Sequence, residues 1–122
     1  MDRHNHMIMI TTRTVDAITI FDVHGPLTAG RDAALRTAIR AAFDDGHKTV
    51  ILNLQDVPAI DSSGVAALAT GHMTATNRGG ILKLCNLPQK LKAVFAIMRL
   101  NTVFDSNETE AEAIASVNAA KP

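Results

Sequence analysis

The chain has no tryptophan and no tyrosine, and its only aromatics are four phenylalanines. This removes most of the flat side chains on which single-stranded nucleic acids stack. Charge of one sign is also missing. Twelve basic residues balance twelve acidic ones, so nothing draws the chain as a whole to nucleic acid or to anionic lipid. A single cysteine, Cys85, rules out an internal disulfide and fits a reducing, cytoplasmic setting. No apolar run approaches the roughly 20 residues that cross a bilayer, so no membrane span is expected. The first six residues, Met1 to His6, are polar and lack the apolar core of a secretion signal. His4 and His6 within them read as part of a short solvated tail. No other ligand stands at a metal-binding spacing, so neither a metal nor a cofactor is expected. Asn107-Glu108-Thr109 matches a glycosylation sequon, which has no meaning without secretion.

Hydrophobic residues make up 47% of 122 positions, enough for one core and too few residues for two. Residues 1–6 are expected to be a flexible tail and 7–122 a single domain without linker or repeat. Met7–Thr12 and Val15–His24 carry β-branched and apolar residues, and Arg13-Thr14 between them reads as a hairpin turn. A helix follows, with Ala34, Leu35, Ala38, Ile39, Ala42 and Phe43 on one face and Asp45-Gly46 as its stop. Thr49–Leu54 barely alternates, as in a central parallel strand covered on both faces. A second helix runs from about Ser62 to Asn77, with Val65, Leu68, Ala69, Met73 and Thr76 repeating at helical spacing. Ile81–Cys85 is a buried strand. Pro88 opens a third helix with Leu91, Val94, Phe95 and Met98 inward. Thr102–Phe104 is a short strand, and the last helix starts near Asn107 with Glu110 completing a capping box. The order ββαβαβαβα predicts an α/β fold: a mixed, mostly parallel sheet of about five strands with four helices.

Asp61-Ser62-Ser63-Gly64 stands where the central strand hands over to the second helix. Two hydroxyls and a carboxylate there lie beside the unpaired N–H groups of a first helical turn. Capping, anion binding and phosphate acceptance all suit that position. Hydrolysis does not. Ser63 and His72 share a helix but point to opposite sides, about 13 Å apart along its axis, beyond the reach a nucleophile and its base require. No nucleophile elbow or phosphate-binding loop appears, so the chain is not expected to be an enzyme. Gly25-Pro26-Leu27-Thr28-Ala29-Gly30 reads as a strand-to-helix turn with Thr28 as its cap, and Ser62 reads as the cap of the second helix. Ser63, Ala67, Thr70 and Thr74, with Gly71 alongside, form a helix face without charge, which reads as a docking surface centred on Ser63. A phosphate there would add about −1.5 to −2 charge, tolerated by the helix start but not by a partner fitted to the hydroxyl.

The segment from Val50-Ile51-Leu52-Asn53-Leu54 through Ile60-Asp61-Ser62-Ser63-Gly64-Val65 closely resembles the STAS domain of bacterial anti-sigma factor antagonists. The similarity extends to Gly79-Gly80, to Leu91, Val94 and Phe95, and to the final helix. The resemblance implies that Ser63 accepts phosphate from a partner that is both anti-sigma factor and serine kinase. It further implies that the unphosphorylated form captures that partner, freeing a sigma factor, and that a serine phosphatase resets the cycle. Asp61, Ser62, Gly64, Ala67 and Thr28 would then form the partner surface. One stretch departs from the pattern: where sporulation-type members have Gly-Glu-Leu/Ile-Asp, this chain has Gly25-Pro26-Leu27-Thr28. A stressosome-like scaffold subunit and a small-molecule or nucleotide-binding module are the alternative readings.

Overall fold

The first hairpin turns on two residues with positive φ, Asp16 (52°) and Ala17 (65°). This is the backbone of the tight two-residue turns that match the twist of paired strands. In the computed structural model, which describes residues 8–120, β1 (Met9–Val15) and β2 (Ile18–His24) flank that turn and pair antiparallel from Val15 opposite Ile18. The expected turn at Arg13-Thr14 is therefore displaced. Both residues lie within β1, where Arg13 reaches across to Asp22 through two bonds of 2.6 and 2.8 Å. The tail expected over residues 1–6, and Met7 as a strand start, fall outside the described residues.

From β2 onward the chain advances one strand at a time. α1 (Ala33–Asp44) leads to β3 (Thr49–Asp56), α2 (Ser62–Asn77) to β4 (Ile81–Cys85), and α3 (Gln89–Ile97) to β5 (Ser106–Asn107). The sheet order is β1-β2-β3-β4-β5, with every pair after the first parallel. All three crossovers step in the same direction, so their common right-handed sense places α1, α2 and α3 on one face of the sheet. The buried clusters agree. Phe21, Val23, Val50, Leu52, Leu82 and Leu84 pack with Leu35, Ile39, Leu68, Leu91 and Phe95 from those helices. The alternate residues Ile18, Ile20, Ile51 and Cys85 face the other way, onto Ala113 and Val117 of α4 (Glu110–Ala119). Burial raises the Cys85 thiol to about 12, so it packs as a small hydrophobe.

Beyond that smaller core runs a polar row. Arg13 binds Glu110 of α4 (2.6 and 3.2 Å) as well as Asp22, Asn53 donates to Asp22 (2.8 Å), and Asn86 donates to Asn53 (3.0 Å). Two late elements differ from expectation. Thr102–Phe104 forms a turn rather than a strand, because Phe104 is needed as a plug: its ring lies 5.4 Å from that of Phe95. β5 forms instead at Ser106–Asn107, which occupies Asn107, and α4 is capped two residues later, by the Thr109 hydroxyl accepting from the Glu112 N–H. Ala34 and Met98, expected to face inward, are exposed. Pro88 is the residue before α3, and its carbonyl accepts the first helical bond, from Lys92.

Candidate functional site

Two loops run side by side past the end of the β2–β3 pair. Gly25 donates to the Asp56 carbonyl (3.1 Å), Leu27 to that of Ala59 (2.9 Å), and Asp61 back to that of Leu27 (3.2 Å). Leu27 and Ile60 form a single parallel rung. Pro26 stands between the two donors, where a missing N–H costs no bond. Thr28 is thereby brought beside Asp61-Ser62-Ser63-Gly64. It does not cap α1. Asp32 stands at that position, with its carboxylate turned to Arg36, and Thr28 accepts from Arg31 (3.4 Å).

Asp61 ties the two loops together. It is extended (φ −123°), and its Oδ1 accepts from the N–H groups of Ser63 (2.9 Å) and Gly64 (3.2 Å). Its Oδ2 accepts from the Ala29 N–H (3.0 Å). The capping expected of Ser62 is thus performed by Asp61, whose carboxylate satisfies two orphan donors where a hydroxyl serves one. The Ala29 N–H, followed by those of Gly64 and Ser63, holds the Asp61 carboxyl below its ordinary 3.8, against partial burial and the repulsion of nearby Asp32. With the cap supplied from outside the helix, Ser62 is exposed and Ser63 half-buried. Ser63 is fixed through its backbone, N–H to Asp61 and carbonyl to Arg36, and its hydroxyl takes part in neither bond.

Gly64 and Ala67 have internal work. A Cβ on Gly64 would run into the Leu27 carbonyl, so the first turn of α2 sits directly against the opposing loop. Ala67 is fully buried. Below Ser63, which stays half-buried at its head, the uncharged stripe packs on α1 rather than facing a partner: Ala67 is buried, Arg36 donates to Thr70 (3.1 Å), and a Cβ on Gly71 would come 2.9 Å from Ile39. The small residues there allow two helices of the same chain to approach closely. A different stripe is open, formed by Ser62, Ala66, Met73 and Thr76, with Ala69 half-buried among them. Met73, read from periodicity as core, is 63% exposed.

Next to this face lies a feature that sequence reasoning missed. Pro58, Ala59 and Ile60 line a groove of about 340 Å³ with Lys90, Ala93 and Val94 of α3. Exposed Ile97 and Met98 extend its apolar surface along α3. The signal was the apolar Pro58-Ala59-Ile60 run directly ahead of the motif. Among the described residues no cluster of three or more His, Cys, Asp or Glu could hold a metal ion, and no helix is long and apolar enough to cross a membrane.

A family model described as the STAS domain matches residues 9–113. No curated protein matches the chain. Several solved structures do. A candidate anti-sigma factor antagonist from Thermotoga maritima is 21% identical with a TM-score of 0.83, the match covering 96% of this chain and 99% of that one. An anti-sigma factor antagonist from Mycobacterium paratuberculosis is 20% identical with a TM-score of 0.81, covering 91% and 94%. The Bacillus cell fate determinant SpoIIAA in its phosphorylated form is 24% identical with a TM-score of 0.67, covering 89% and 99%.

Proposed function

The chain belongs to the STAS-domain family, and from that membership we propose that it is an anti-sigma factor antagonist working as a phosphorylation-controlled binding switch. Ser63 is the acceptor. Its hydroxyl oxygen takes the γ-phosphoryl group of ATP from a serine kinase that is also the anti-sigma factor; ADP leaves and the hydroxyl proton is released. The unphosphorylated form holds that partner and so frees a sigma factor, and a serine phosphatase restores the hydroxyl. The protein acts in the cytoplasm, by binding rather than by catalysis.

The observation that carries this reading is the start of α2. Asp61 caps it from outside the helix, which leaves Ser62 exposed and Ser63 half-buried, just past Ile60 of the apolar groove. SpoIIAA, an anti-sigma factor antagonist, has this fold and is known in unphosphorylated and phosphorylated forms. The partner surface then consists of Thr28, Ser62 and Ser63, the open face of α2 through Ala66 and Met73, and the groove beside α3. A phosphoryl group adds about −1.5 to −2 charge next to Asp61 and Asp32, which a partner seated on a hydroxyl and an apolar groove cannot neutralise. The test is a pull-down of wild type, Ser63→Ala and Ser63→Asp with the kinase, and mapping of the phosphate by mass spectrometry. Capture by Ser63→Ala, loss of capture by Ser63→Asp, and phosphate on Ser63 are expected. Phosphate confined to another residue, or tight capture by Ser63→Asp, would overturn the proposal.

A further inference from the structure

Among the described residues, Arg36 is the side chain that hydrogen-bonds from α1 to the start of α2. Its Nε binds Asp32 Oδ2 (2.8 Å), its Nη1 donates to Thr70 Oγ1 (3.1 Å), and its Nη2 lies 3.5 Å from the Ser63 carbonyl. The last contact stands at the outer limit of a hydrogen bond and is made to a neutral acceptor. Ser63 and Thr70 are seven residues apart, two turns along one face, so the guanidinium lies along the stripe that carries the Ser63 side chain. The side chain is one-third exposed, which leaves it room to move.

We infer that Arg36 is the internal reader of phosphate at Ser63, trading Asp32 and the carbonyl for the phosphoryl oxygens. This rests on the reading of Ser63 as the acceptor. The charges around the site favour the exchange. Asp61 and Asp32 already lie close enough for Asp32 to disfavour ionisation of Asp61, and a phosphoryl group brings a third centre of negative charge. Two cations are at hand. Arg31 is turned to the Ala29 carbonyl (3.2 Å) and Thr28, with its buried Nε unpartnered, and Arg36 already touches Ser63. Charge-assisted bonds from a guanidinium to phosphate are roughly twice as strong as neutral ones, and the fork of Arg offers two at once. The exchange also has an outward effect. Asp32 loses its cation, so the modified surface gains a bare carboxylate as well as the phosphate.

The experiment installs phosphoserine at position 63 during synthesis, with no kinase involved. A failure of the kinase assignment therefore shows in the pull-down, and a failure of the Arg36 assignment shows here. The readout is the second ionisation of the phosphate, followed by ³¹P NMR. In the wild-type background it should lie about one unit lower than with Arg36→Gln, as expected for an opposite charge in contact. Arg40→Gln, which removes the same charge from an exposed position one turn further along α1, should leave it unchanged. Asp32→Asn, which frees Arg36 from its present partner, should keep it low or lower it further. Equal titrations in wild type and Arg36→Gln, or an equal shift from Arg40→Gln, would overturn the inference. Asp32→Asn provides a second check should Arg36→Gln fold poorly: a raised ionisation there would overturn it as well.

Discussion

Asp61 and Gly64 show how a single residue can serve a site without belonging to its chemistry. The Asp61 carboxyl is held below its ordinary 3.8, so its contribution to stability is complete above that value and is lost as pH falls through the lower, folded one. The thermal midpoint of wild type should therefore exceed that of Asp61→Asn at neutral pH and converge with it in acid. A difference that stays constant down to pH 2 would show that the charge is not involved. Gly64→Ala places a methyl against the Leu27 carbonyl, which is backbone and cannot swing away. We expect a loss of about 3 kcal/mol in urea unfolding, at the upper end for an overpacked site. The motif itself was legible, because a carboxylate, two hydroxyls and a glycine at a strand-to-helix junction are an unusual combination. Which residue caps was not, since Asp61 is selected by the Ala29 N–H, a donor 32 positions away.

At the scale of elements, sequence patterns went astray where tertiary demand outweighed local preference. Asp16 suits a turn, but Ala17 conceals it, because alanine pays to adopt positive φ. Ala17→Gly should accordingly raise stability by about 1 kcal/mol with an unchanged denaturant slope. Part of α2 was misassigned for a related reason: Val65 and Leu68 are buried as expected, but Met73 and Thr76 are exposed and Ala67 is covered. Alanine, glycine and threonine look equally at home in solvent and against another helix, so only the position of α1 decides between them. Charge placed on the open side should cost little: Met73→Glu should unfold within about 0.5 kcal/mol of wild type while weakening partner capture in the same pull-down. Ala67→Glu, on the covered side, should not fold. The misplaced fifth strand follows the same logic, since Val103 and Phe104 have strand-like composition but Phe104 is used to cover Phe95.

For the molecule as a whole, the order of elements was readable because alternation of strands and helices leaves few topologies. What the sequence concealed was the unequal weight of the two faces. Three helices share one core, and among the described residues α4 alone covers the other, held by Ala113, Val117 and the Arg13–Glu110 pair. Arg13→Gln should therefore speed amide exchange across residues 110–119 and leave that of α1 and α2 near wild type. Uniform acceleration would mean that the two faces open together. The strand order β1-β2-β3-β4-β5 has one more consequence. Open α/β sheets make their ligand crevices where the strand order reverses and neighbouring crossovers part to opposite faces. The described strands only ever step forward, so their order contains no such reversal. The strand ends instead carry a ledge formed by adjoining loops, and it is on this ledge that the proposed partner would sit.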